Sequence, residues 1–173
     1  MDYTFTLKYR LAEGDRDTDR LVERLGEAGC TDAIVGVGSV GRLALEFTRE
    51  ADNADAAIRS ALGDVRTAIP LATLVEAAPD FVGLTDIADL LGISRQGMRK
   101  LSLTHGDFPA PVHEGSASVW HLLDILTWLE ARRGHTPDAG LRDTAAAALA
   151  INLAKETSRH TPGAQAAIER LIA

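Results

Sequence analysis

A chain of 173 residues, 46% of them hydrophobic, holds one medium domain or two small ones with a tail, and no apolar run in it is long enough to span a bilayer. The single cysteine, Cys30, excludes an internal disulfide and a cysteine-based zinc site. A net charge of −7 excludes general affinity for nucleic acid, but the acid is unevenly spread: 15 acidic and 9 basic residues precede Phe81, whereas Phe81 to His135 holds 6 and 5.

Tyr3 to Leu11 alternate, with Tyr3, Phe5, Leu7, Tyr9 and Leu11 on one side, which predicts a strand. The start of the chain lacks the basic residues and apolar core of a signal peptide, so a cytoplasmic protein is expected. Gly14-Asp15 breaks the strand, and Thr18 or Asp19 is the expected cap of a helix with Leu21, Val22, Leu25 and Ala28 on one face. Cys30 follows in a helix-to-strand turn. With no Lys, Arg or His beside it in sequence to lower its pKa, it reads as a buried small residue rather than a reactive thiol. Ala33 to Val37 reads as a strand, Gly38 to Gly41 as a turn and Arg42 to Arg49 as an alternating strand. Asn53 and Asp55 precede a second helix carrying Ala57, Ile58, Ala61, Leu62 and Val65, closed near Pro70, and Leu71 to Ala77 supplies a last strand. The order βαββαβ over residues 1–79 is that of a ferredoxin-like domain, with two helices on one face of a four-stranded antiparallel sheet. Dimerisation, or sensing of a small-molecule or protein effector, is its expected role.

Gly36-Val37-Gly38-Ser39-Val40-Gly41 matches G-x-G-x-x-G, but that phosphate-cradling fingerprint needs a helix to follow. Leu43, Leu45 and Phe47 at period two predict a strand there, so the glycines are read as a hairpin.

The chemistry is concentrated in Leu84 to Leu101. Two helical runs meet at a glycine, and the second opens with a serine followed by Arg, Gln, Arg and Lys. Counted from Leu84, the slots of a helix-turn-helix are all filled: small Ala88 at the fifth, Gly92 at the ninth where positive φ is needed, and Ile87, Leu91, Ile93, Met98 and Leu101 at the buried positions. Thr85 is the expected cap of the first helix, with Asp86 in its first turn, and Ser94 the cap of the second. Arg95, Gln96, Arg99 and Lys100 are left on the outer face. Arg reads guanine and Gln adenine in bidentate fashion, so Arg95 and Gln96 are candidate base readers, and Arg99 and Lys100 candidate phosphate contacts. The alternative is a plain helical hairpin with a solvated basic face.

Phe108-Pro109-Ala110-Pro111 is held extended by its prolines. Val112-His113 and Ser118-Val119-Trp120 then make a small hairpin about a turn at Glu114 to Ala117, and a helix runs from about His121 to Arg133 with Leu122, Ile125, Leu126 and Leu129 apolar. A hairpin directly after a recognition helix is a wing. With Phe108-Pro109, Pro111-Val112, Trp120, Asp124-Ile125 and Trp128, the stretch Leu84 to Arg133 resembles the AlpA-type and excisionase-type proteins, small phage and bacterial regulators related to the MerR winged helix. The resemblance implies that Arg95, Gln96 and Arg99 read the major groove and that Ser116 and Ser118 serve a wing touching the adjacent backbone. Wings of that group are often basic, whereas this one offers Glu114, Gly115 and Ser116. His105, His113, His121 and His135 lack the spacing of a metal site, so no metal is expected.

From Pro137 the composition turns to Ala, Leu and Thr. Leu141 to Ser158 predicts a helix with Leu141, Ala145, Ala148, Leu149, Asn152 and Leu153 near one stripe, and Thr161-Pro162 starts a short further one. The stripe packs either on a second copy or on the same chain's core. The expected architecture is thus α+β, with a ferredoxin-like unit (1–79), a winged helix-turn-helix (80–135) and a helical tail (136–173). The expected function is that of a sequence-specific DNA-binding transcriptional regulator acting as a homodimer on double-stranded DNA, without cofactor, membrane or catalytic residues. A phage-type excisionase or architectural factor, or a sensor module using the N-terminal sheet, is the alternative.

Overall fold

In the computed structural model, which describes residues 1–15, 17–132 and 138–160, the alternation at the start of the chain becomes β1 (Asp2–Arg10) and buries Tyr3, Phe5, Leu7 and Tyr9 on one face. It lies antiparallel to β3 (Arg42–Glu50), in the register that sets Phe5 opposite Phe47, Leu7 opposite Leu45 and Tyr9 opposite Leu43. The two phenylalanine rings stack with centroids 5.2 Å apart. Such aromatic cross-strand pairs stabilise a sheet beyond their buried area.

β2 (Ala33–Gly36) pairs with the other side of β3, and β4 (Thr73–Ala78) with the other side of β1. The order is β2-β3-β1-β4, antiparallel throughout. Helices α1 (Thr18–Glu27) and α2 (Ala54–Ala68) bury Leu21 and Leu25, and Ala57, Ile58, Ala61 and Val65, in the core over this sheet. The first helix is capped by Asp17, whose carboxylate accepts the Arg20 N–H, rather than by Thr18 or Asp19. Val22, expected on its apolar face, is 45% exposed, because the buried stripe is only Leu21 and Leu25 wide. Asn53, expected only to precede α2, caps it, its Oδ1 accepting the Ala56 N–H, whereas Asp55, expected before the helix as well, lies in its first turn. A strand, not a helix, follows the glycines at 36–41, so no helix N-terminus is available there to face a pyrophosphate.

Cys30 is buried in this core. Burial, with Asp64 adding to it, pushes its thiol up to about 11 against the opposing guanidinium of Arg49, which leaves it protonated and inert at neutral pH.

The second part holds a short β5 (Phe81–Val82), α3 (Leu84–Leu91), α4 (Arg95–Thr104), β6 (His113–Glu114), β7 (Ser118–His121) and α5 (Leu122–Glu130). The three strands form a second antiparallel sheet in the order β5-β7-β6, so Phe81-Val82, expected only as a lead-in, pairs with Trp120 and His121. The chain is therefore α+β, with six helices and two antiparallel sheets among the described residues. The expected helix reached Arg133. That residue, His135 and the short helix expected after Thr161 lie outside the described residues.

The Ala-rich segment is α6 (Ala139–His160), and it packs within the chain. Ala147, Ala148 and Ile151 join the core over the first sheet, while Ala145 and Leu141 join the core of Val82, Ile87, Met98 and Leu126. Leu153, counted in the stripe, is 54% exposed.

One buried polar network ties the two parts together. The amide of Asn152 on α6 accepts the Ala77 N–H at 2.9 Å and donates to the Ala77 carbonyl at 2.8 Å and to Asp80 Oδ2 at 2.7 Å. The other Asp80 oxygen lies 2.7 Å from His121 Nδ1 on β7, and the Asp80 carbonyl accepts the Leu122 N–H. Asp80 is wholly buried, so these partners replace the water its carboxylate has lost.

Candidate nucleic-acid interface

Gly83, not Thr85, precedes the first turn of α3, where the Asp86 carboxylate accepts the Gly83 N–H at 2.8 Å. Thr85 sits exposed inside that first turn. The helix starts two residues earlier than its threonine suggests because the Asp86 side chain reaches back to Gly83. Ile87 and Ala88 are fully buried.

The helix ends at Gly92, whose φ of +65° and ψ of +26° are left-handed, and the Ile93 N–H bonds back to the Ala88 carbonyl. A methyl group at Gly92 would meet nothing within 4 Å, so only the backbone resists substitution there. Gly92→Ala should lower stability by about 1–2 kcal/mol, with Gly92→Asn milder, as read by urea unfolding. An alanine variant as stable as wild type would show that this turn is not held left-handed.

Ser94 caps α4: its Oγ accepts the Gly97 N–H at 3.0 Å. Met98 is fully buried, and Leu91, Ile93 and Leu101 pack half-buried on the same core, so the inward slots are filled by the expected set. Arg95, Gln96, Arg99 and Lys100 are all exposed on the opposite side. The Arg95 guanidinium is 3.7 Å from Asp89 on α3, with both side chains mostly in solvent, so the tether is weak. Among the described residues Arg99 and Lys100 have no ion-pair partner. Leu103 follows at i+4 from Arg99 and i+8 from Arg95 and is 74% exposed on the same side. That spacing was legible in the sequence, yet an apolar residue among charges is normally assigned inward.

The segment after α4 is fixed by rings. Phe108 sets its edge against Trp120 and Trp128, with centroids 6.1 and 5.0 Å apart, and Trp120 Nε1 donates to the Pro109 carbonyl at 2.9 Å. These contacts fix the segment that follows α4 to β7 and α5. The hairpin turns through Gly115, Ser116 and Ala117, all exposed, with the Val112 N–H bonded to the Val119 carbonyl. Ser116 is at the tip. Ser118 lies half-buried at the start of β7, which separates it from the exposed set. Glu114 is exposed, and the hairpin carries no Lys or Arg.

The surface is thus one exposed helix face with three cations, one amide and one leucine, followed in the chain by a nearly neutral hairpin. Among the described residues no group of three or more His, Cys, Asp or Glu side chains converges as a metal site would need, and no helix is long and apolar enough to cross a membrane. Compared with protein-family models, with curated proteins and with solved structures, the chain matches none.

Proposed function

We propose that this chain is a sequence-specific DNA-binding transcriptional regulator of bacterial or phage type, in which the second part is a winged helix-turn-helix of the AlpA and excisionase kind and the first a ferredoxin-like unit. One observation carries the reading: α4 follows α3 through a left-handed glycine and presents Arg95, Gln96, Arg99 and Lys100 to solvent together. An α-helix fits the major groove, and residues at its N-terminal end reach the base edges.

In this reading Arg95 and Gln96 contact bases, and Arg99 and Lys100 contact phosphates. Leu103 supplies an apolar contact suited to a thymine methyl group. Thr85 and Ser94 lie in and before the first turns of α3 and α4, where backbone N–H groups and the helix dipole favour a phosphate. The Ser94 oxygen accepts from Gly97, so its own O–H is free to donate. Ser116 at the hairpin tip is the wing contact, with Ser118 behind it. A net charge of −7 and an uncharged tip leave the affinity of one copy low, so useful specificity calls for two copies on a repeated site.

The test is fluorescence anisotropy on the DNA upstream of its own coding sequence and on scrambled DNA, over a salt series. Arg95→Ala or Gln96→Ala should cost about 1–3 kcal/mol on the cognate site, roughly 10- to 100-fold, and relax sequence choice. Arg99→Ala or Lys100→Ala should weaken binding evenly across sequences and reduce the salt slope by about one. If all four variants bind a cognate site like wild type, α4 is not the reader.

A further inference from the structure

The two edges of the four-stranded sheet are treated differently. An edge strand exposes unpaired N–H and C=O groups, and proteins block such edges with charges, bulges or covering elements. The β4 edge has these devices. Asn152 of α6 bonds both the N–H and the C=O of Ala77, as a neighbouring strand would, Lys155 donates to the Val75 carbonyl, and the β1–β4 register is bulged between Lys8 and Tyr9. Among the described residues nothing covers the β2 edge in this way. Ala33-Ile34-Val35-Gly36 carries neither charge nor proline, and with the following Val37-Gly38-Ser39-Val40 it makes eight uncharged residues. Ile34, Val37 and Val40 are 72%, 42% and 83% exposed.

We propose that the β2 edge is where two copies of this chain associate, strand antiparallel to strand, joining their sheets into one of eight strands. Charge selects a second copy as the occupant. On a chain of net charge −7 most surfaces repel their own kind, whereas antiparallel β2 strands set neutral side chains against neutral ones. Asp32, the acid next to the strand in sequence, is already engaged by Arg49 at 2.7 Å, and Glu46, opposite Ile34 on β3, lies one strand in from the edge. A charged peptide would find no counter-ion along this strand. Two-fold antiparallel pairing is also self-complementary, as an isologous contact requires.

Area sets the strength. Four residues span about 14 Å, short of what the about 1,000 Å² of a stable interface needs. The pairing is therefore weak, with a dissociation constant no tighter than about 1 μM. Two half-sites on one DNA would complete it. That use rests on the DNA-binding reading, while the surface itself does not.

Sedimentation of the full chain without DNA, from about 1 μM to about 500 μM, should show a reversible dimer. Backbone amides of residues 33–36 should exchange more slowly at the higher concentration. Ile34→Lys brings lysines near one another across the two-fold and should weaken association at least about tenfold. Val37→Lys, beyond the strand, is the second variant, and unchanged circular dichroism checks the fold of both. A wild-type chain that stays monomeric throughout, leaving the edge to a strand from a different protein, overturns the proposal. So does a dimer that survives both substitutions. Specific DNA binding by a monomeric chain would sink this proposal alone, whereas a β2 dimer that ignores DNA would sink only the DNA-binding reading.

Discussion

Asn152→Ala is expected to destabilise the chain by about 3–5 kcal/mol, because three buried polar atoms lose the side chain that bonds them at once. The Ala77 N–H and carbonyl and one oxygen of the Asp80 carboxylate, Oδ2, depend on that one amide, while the other Asp80 oxygen keeps His121. Ala77 and Asp80 are wholly buried, and Asn152 is 1% exposed, so water does not reach them in the folded chain. The amide's orientation follows from its neighbours: the oxygen must face the Ala77 N–H and the nitrogen the carbonyl. Asn152→Asp should do no better, since it removes both donors and sets a carboxylate against Asp80. Leu153→Ala, one position on and half exposed, should stay within about 0.5 kcal/mol of wild type. Urea unfolding of the three variants checks this. If Asn152→Ala matches Leu153→Ala, the network does not hold the two parts together.

The second large effect belongs to Arg49. Its Nε and Nη2 donate to the two oxygens of Asp32 at 2.7 and 2.9 Å, and its Nη1 reaches Asp64 at 2.7 Å and Ser60 at 3.0 Å. Nη2 also reaches the Gly29 carbonyl at 3.3 Å, so one guanidinium joins β3, α2 and the turn before β2. Arg49→Ala should cost about 2 kcal/mol, less than a wholly buried pair, because the Asp32 and Asp64 side chains keep 27% and 34% exposure. Arg49→Lys should recover little, since an ammonium lacks the planar fork.

The effect carries a pH signature. Hydrogen bonds from Arg49 hold the Asp32 carboxyl below its ordinary value against the opposing effect of burial. A lowered folded value adds stability that is present above the unfolded pKa, about 3.9, and is lost as pH falls through the folded one. The gap between wild type and Arg49→Ala should be widest near neutral pH and narrow below about pH 4. A gap that stays constant down to pH 2 would assign the effect to packing, including the guanidinium's place 5.0 Å over the Phe47 ring.

Local signals survived wherever one element's own residues decide its form. The alternation in β1 and β3, the Ser94 cap and the left-handed Gly92 are each set within a few residues, and each is found in place. The first caps moved to Asp17 and Gly83 because neighbouring side chains compete for the same N–H groups, and a list of cap-forming residues does not rank them. The candidate site was legible for the same reason: the inward and outward positions of α4 follow from helical spacing around Met98. Leu103 was missed because spacing says which side a residue occupies, not whether anything lies there to cover it.

By itself the sequence determined the α+β alternation of elements, the identities of the exposed cations and the absence of a cysteine framework, all properties of short windows or of composition. Only the tertiary structure decided that the Ala-rich helix closes both cores, that Asn152, Asp80 and His121 meet, and that one sheet edge is blocked while the other is open. The partners in those contacts are 41 to 75 residues apart along the chain. Packing brings them together, and no local periodicity encodes such a meeting.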